Sequence, residues 1–310
     1  MDKKISVSIV KIDKEMINQR IDNFIKSQFR KIPKGLLYKI IRIGRIRVNK
    51  KRVKPDYKLK IGDILRIPPF HEKKIKKNIT INLNIKKKLL SSILYEDEYL
   101  LVINKPPGIA VHGGSGLNFG IIEGFRLLKE KYQYLELIHR LDKNTSGILM
   151  LAKKKSCLKN IHEQFRKKII EKQYIALVHG KWKDNIRIIS KPLIKNKLFN
   201  GKKHVTISCN GKQSKTIFIV KKRFDLNTML LIIPKTGRTH QIRVHAAYAG
   251  HPIIFDNYYG NKKLDYQINQ KYQHEKILLH AIKISFFHPL SKKKIYIKAP
   301  LENRFKKYLK

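Results

Sequence analysis

The chain has 310 residues, long enough for a small module and a larger one that each bury a core, so two domains are expected. Its 70 Lys and Arg against 22 Asp and Glu give a formal net charge of +48, which points to a polyanion such as nucleic acid as partner and, by self-repulsion, to a monomer. Two cysteines, Cys157 and Cys209, exclude a disulfide framework and a cysteine-rich zinc site, and they fit a reducing cytoplasm.

Residues 1–15 lack an apolar core of signal-peptide length, and no apolar run approaches the roughly twenty residues that span a bilayer, so no membrane partner is expected. From Ile17 the residues Ile21, Phe24, Ile25 and Phe29 recur at helical spacing, and Leu36, Leu37, Ile40 and Ile41 repeat the stripe after Pro33. Two short helices are predicted. Gly44 closes the second, and Arg45 to Asn49 alternates at period two, with Arg45 and Arg47 on one face and Ile46 and Val48 on the other. After the turn at Gly62-Asp63, Ile64 to Ile67 reads as a strand ended by Pro68-Pro69. An A+T-rich genome accumulates lysine whatever the function, so arginine says more here. Seven of the 15 arginines lie between Arg20 and Arg66.

Residues 15–70 resemble the S4 RNA-binding module, in "RIDNFI", "LLYKIIRIGRIRVNKKRVKP" and "KIGDILRI". The resemblance implies that the second helix and the strand after it grip structured RNA, which assigns Arg42, Arg45 and Arg47 to RNA binding. A basic solvated face on an ordinary small domain is the other reading. Residues 71–88 then lose periodicity and become rich in Lys and Asn, as a charged, extended, flexible linker would.

Residues 89–310 form the larger unit. Strands are predicted at Leu100–Ile103, Ile148–Ala152, Tyr174–Val178, Ile217–Val220 and Met229–Ile233, with helices near 156–168 and 241–249. Strands outnumber helices without strict alternation, so the fold class is α+β and not doubly wound.

Two segments carry candidate chemistry. In "LELIHRLDKNTSGILMLAKK", Asp142 sits in a polar loop between apolar strands; read locally, it is either a turn residue capping amides or a catalytic group held by a loop. In "IIPKTGRTHQIRVHAAYAGHPI", a strand and the turn at Thr236-Gly237 lead to a helix with Thr239 as N-cap and Gly250 as stop. His240, Arg243 and Ala247 share one face of it.

"HRLDKNTSG" resembles the signature loop of the Rlu-type pseudouridine synthases, with Asp142 on the family's essential aspartate. "GRTHQIRVH" resembles the motif whose arginine pairs with that aspartate, which assigns Arg243 to Asp142. A guanidinium there keeps a desolvated carboxylate ionised. Tyr174, in "EKQYIALVHGKW", is by pattern a core aromatic, whereas the resemblance implies that it stacks on the extruded target base. Arg140 is implied to enter the space the base vacates. Arg238 and His240 are assigned to the substrate, with an exposed strand cap as the other reading of Arg238. "HGGSGLNFGIIEG", together with the S4 module, most resembles the large-subunit synthase C branch of the family.

The resemblance implies a catalytic domain with a mixed, largely antiparallel central sheet behind the S4 module. The implied reaction isomerises specific uridines of large-subunit ribosomal RNA to pseudouridine, with Asp142 either attacking C1′ or removing a C2′ proton. No cofactor is demanded. No metal is expected, since His240 and His245 lack the metal spacing and no Cys/His cluster appears, nor is there a nucleotide-binding glycine motif. Glycosidases use two carboxylates, and Glu136 has no evident catalytic placement. The rival functions are a non-catalytic S4-type RNA-binding or ribosome-assembly protein and an RNA glycosylase.

Overall fold

The computed structural model describes residues 7–13, 16–29, 32, 34–69, 83–113, 119–128, 132, 134–197, 203–271 and 275–309. The chain divides into two compact units, residues 1–78 and 79–310.

The first unit contains strand β1 (Ser8–Lys11), helices α1 (Ile21–Gln28) and α2 (Lys34–Arg42), and strands β2 (Arg47–Val48) and β3 (Ile64–Ile67). The strands pair antiparallel in the order β1-β3-β2. The apolar stripes of both helices meet over this sheet: Ile21, Phe24, Ile25, Leu37 and Ile41 are buried with Leu65 and Ile67. α1 starts at Ile21 and not at Ile17 because Asn18 turns into the left-handed region (φ 60°) and donates its N–H to Leu59. Ile46 and Val48 are buried while Arg45 and Arg47 are exposed, as the period-two pattern requires.

The second unit begins with α3 (Leu83–Leu90), β4 (Ile93–Glu96), β5 (Leu100–Lys105), α4 (Ile121–Leu128), β6 (Glu136–Leu137) and β7 (Ser146–Ala152). Next come α5 (Lys155–Arg166), β8 (Glu171–His179), β9 (Ile188–Ile189), β10 (Leu193–Lys197), β11 (Lys203–Ile207), β12 (Thr216–Arg223) and β13 (Asn227–Pro234). It closes with α6 (Gln241–Tyr248), α7 (Lys262–Ile268), β14 (Leu279–Phe287), β15 (Lys294–Lys298) and α8 (Asn303–Lys306). One sheet runs β4-β5-β7-β14-β8-β13-β12-β9, with β15 beside β14 and β6 beside β7; β10 and β11 form a separate hairpin. The β14–β7 pair is parallel and every other described pair is antiparallel, which makes the mixed, largely antiparallel sheet of an α+β domain. Among the described residues no helix is long and apolar enough to cross a membrane.

Glycine is required where β7 meets β14. Gly147 has φ +101°, and a Cβ there would lie 2.3 Å from the Ala281 carbonyl oxygen. This close approach fixes the end of the loop that carries Asp142.

The expected extended linker is corrected in part. Residues 83–90 are helical, with Leu89 buried in the main core and Ile85 packed on it, so the Lys-rich run is the solvated face of α3. Residues 70–82 lie outside the described residues. α4 was also not foreseen: Gly120 sits against the His112 backbone and Gly124 against Leu89 and Phe119, which accounts for two glycines of that stretch as packing positions.

Candidate active site

Asp142 lies between the two-residue strand β6 and β7, on a loop tied down at several points. Thr145 N–H donates to the Asp142 carbonyl at 3.2 Å, and Gly108 N–H to the Lys143 carbonyl at 2.9 Å. Lys105, fully buried, spends its ammonium on the carbonyls of Pro106, Ile109 and Lys143 at 2.9, 2.9 and 3.0 Å. Burial pushes its pKa down to about 7, opposed by the charges of Glu302 and Asp142. It anchors the loop from beneath.

α6 brings Arg243 to this loop from 101 residues away in sequence. Its Nη1 donates to Asp142 Oδ2 at 2.9 Å. The other edge of the guanidinium is taken by Asp256, with Nε to Oδ2 at 2.8 Å and Nη2 to Oδ1 at 2.7 Å. Burial works against the Arg243 charge, but hydrogen bonding and attraction from Asp256, then Asp142, outweigh it and raise its pKa. Tyr258 and Tyr259 lie 5.4 and 5.1 Å from the guanidinium carbon, within cation–π range.

His240 approaches the same oxygen, with Nε2 3.7 Å from Asp142 Oδ2. Among the described residues no hydrogen bond reaches Asp142 Oδ1. The carboxylate side chain is 30 % exposed, so it is fixed on one oxygen and accessible on the other. That is the arrangement a nucleophile or base needs.

Asp142 borders a pocket of roughly 330 Å³ that is also lined by Tyr174, Arg140, Lys172, Arg238, His240 and Arg243. Tyr174 stands on β8, packed in the main core and 9 % exposed, with burial and the Asp142 charge keeping its hydroxyl protonated. The core and pocket readings of Tyr174 therefore coincide. Lys172 lies two residues along the same strand, and burial lowers its pKa. Arg140 is exposed at the mouth. Arg238 is exposed too, with Nε donating to the Gln213 carbonyl at 3.1 Å.

The expected Thr239 cap is corrected. The residue before α6 is His240, in a left-handed conformation (φ 53°) with no side-chain cap. Gln241 closes the turn instead, its Oε1 accepting from Arg238 N–H at 3.0 Å and the Thr236 hydroxyl at 2.8 Å. Gln241 Nε2 in turn donates to the Lys215 carbonyl and to Thr216 Oγ1.

Sequence reasoning missed Asp256, Lys172, Lys105 and Tyr259. The signal for Lys172 was its two-residue spacing from Tyr174, and for Asp256 a lone acid inside "HPIIFDNYYG". Glu136 is bound instead to Arg126, at 2.9 Å.

In the first unit, Arg42, Arg45, Arg47 and Arg66 are all exposed. Arg47 and Arg66 are direct cross-strand partners. Like charges placed opposite each other destabilise a strand pair unless an anion bridges them.

The family model for RNA pseudouridylate synthase matches residues 99–248, and that for the S4 domain matches residues 19–65. Ribosomal large subunit pseudouridine synthase C of Buchnera aphidicola subsp. Acyrthosiphon pisum is 56% identical over 307 residues, spanning 99% of this chain and 98% of that protein. The protein of the same name from Escherichia coli K12 is 46% identical over 306 residues, spanning 98% and 96%. Among solved structures, human RNA pseudouridylate synthase domain containing 4 superposes with a TM-score of 0.61 at 25% identity, covering 73% of this chain and 94% of that one.

Proposed function

The chain belongs to the RNA pseudouridylate synthase family, and from that membership we infer that it converts uridines of large-subunit (23S) ribosomal RNA to pseudouridine, with Asp142 as the reacting carboxylate. The observation that carries the assignment of Asp142 is its pairing with Arg243 through Oδ2 alone, at the edge of a pocket that also holds Tyr174.

The reaction breaks the bond from C1′ to N1, turns the uracil, joins C5 to C1′ and moves the C5 proton away, so nothing is oxidised or hydrolysed. Asp142 starts it through Oδ1, by attack on C1′ or by removal of the C2′ proton. Arg243 holds the other oxygen and stabilises the carboxylate. Tyr174 offers the flat face on which an extruded base can stack. Asp256 does not act as a second acid, because its oxygens accept from Arg243 and from the amides of Tyr258 and Tyr259. A lone reactive carboxylate suits isomerisation better than hydrolysis, which typically uses a pair.

Arg140 and Arg238 flank the pocket mouth and contact RNA, while Arg42, Arg45 and Arg47 supply grip through the S4 domain. The enzyme works without a cofactor, as a cytoplasmic monomer whose +48 charge opposes self-association. Release of tritium from ribosomal RNA labelled at uridine C5 tests the reaction. The wild-type chain releases it, and absence of release from a competent transcript overturns the reading.

A further inference from the structure

His240 sits in the left-handed backbone region, with φ 53°. The left-handed region costs a non-glycine residue on the order of 1 kcal/mol and persists only where the surroundings over-determine it. That backbone aims the imidazole between Asp142 and Tyr259. One ring nitrogen faces Asp142 Oδ2, and the other, Nδ1, lies 2.8 Å from the Tyr259 hydroxyl.

Tyr259 is itself fixed twice. Its hydroxyl oxygen accepts the backbone N–H of Val205, on β11, at 3.1 Å, and its own N–H is held by Asp256 Oδ1 at 3.3 Å. We propose that Tyr259 is a positioning residue, whose hydroxyl donates to His240 Nδ1 and so locks the ring with Nε2–H directed at Asp142 Oδ2.

Val205 N–H takes one lone pair of the Tyr259 oxygen, and the hydroxyl hydrogen is available to His240 Nδ1, so the Asp142 side of the ring decides the tautomer. The opposite tautomer would point an imidazole lone pair at the Asp142 carboxylate, which is repulsive. Burial, opposed by Asp142 and seconded by Arg243, lowers the His240 pKa and keeps the ring neutral, while burial raises that of Tyr259 and keeps its hydroxyl protonated.

The consequence is rotational. Arg243 alone makes one contact with Asp142 and lets the carboxylate turn about it. His240 Nε2, 3.7 Å from the same oxygen, is beyond hydrogen-bond distance, but an N–H edge held there attracts Oδ2 and biases the carboxylate plane toward presenting Oδ1. The relay also runs from the β10–β11 hairpin through Val205 to the carboxylate, so the hairpin's placement bears on the chemical step. This inference rests on Asp142 being the reacting group.

Single-turnover rates at saturating RNA for wild type, Tyr259→Phe, His240→Gln and the double variant test it. Gln can keep an N–H near the Nε2 position but has no acceptor at the Nδ1 position that Tyr259 addresses. Each single change slows the step about tenfold, and the pair slows it no more than the slower single. RNA affinity for Tyr259→Phe stays within about twofold, since that hydroxyl faces His240 and Val205 and not the RNA backbone. A double variant slowed by the product of the two singles, or Tyr259→Phe at the wild-type rate, overturns the relay. Nitrogen-15 shifts of the His240 ring give a readout independent of turnover: Nε2 protonated supports it, and Nδ1 protonated overturns it. Failure of wild type to form pseudouridine would instead undo the function reading.

Discussion

Arg243 and Asp256 form a bidentate pair in which the carboxylate is fully buried and the guanidinium nearly so. Because that edge is committed, Nη1 is left pointing at Asp142. One arginine thus joins a fully buried carboxylate to a partly exposed one.

Arg243→Lys retains the charge but cannot serve both carboxylates, since an ammonium lacks the planar fork. The rate falls at least about tenfold with modest change in RNA affinity. Asp256→Ala removes the buried partner and costs about 3 kcal/mol of stability by urea unfolding, the range for breaking a buried pair. Wild-type-like rate and stability in both variants would leave the clamp without a role.

Tyr174→Phe keeps the stacking face and most of the rate, whereas Tyr174→Leu loses about 1–3 kcal/mol of stabilisation, roughly 5- to 160-fold. Equal losses in the two variants would assign the work to the hydroxyl and not to the ring.

Arg45→Ala and Arg47→Ala each lower the slope of log affinity against log salt by about 1 when the side chain neutralises a phosphate. Binding weakens while the single-turnover rate at saturating RNA holds. An unchanged slope in the double variant would remove the S4 surface as the RNA grip.

His139 sets a stability limit on the acid side. Its ring is buried against charging, then pressed by Lys172, and Nε2 accepts the Met150 N–H, so its pKa drops from 6.5 to about 3. The unfolded chain therefore binds a proton that the folded chain refuses between those values. Stability from this residue is complete above about pH 6.5 and falls with pH at up to about 1.4 kcal/mol per unit toward 3. His139→Gln flattens the unfolding free energy against pH over that window, and an unchanged slope would show that another group carries it.

The separate elements were legible wherever a period repeated. Ile21, Phe24 and Ile25 announced α1, Ile46 and Val48 the strand face, and the apolar runs at 148–152 and 229–233 the central sheet. The Asp142–Arg243 pair was legible only by resemblance, since 101 residues separate its members. What stayed hidden depends on contacts between elements that no local spacing records. Asp256 reads as a stray acid until α6 sets Arg243 against it, and α3 reads as a linker because Ile85 and Leu89 are its only described apolar anchors amid Lys86, Lys87 and Lys88. The Thr239 expectation failed because cap propensity ignores Gln241, whose side chain reaches back to close the turn through Arg238 N–H and the Thr236 hydroxyl.

The most direct test is to incubate unmodified large-subunit ribosomal RNA with wild-type protein and with Asp142→Asn, then map pseudouridine by carbodiimide-blocked primer extension. The account predicts new stops at discrete uridines with wild type and none with Asp142→Asn, although the variant still binds the RNA. Stops that persist in Asp142→Asn would contradict it.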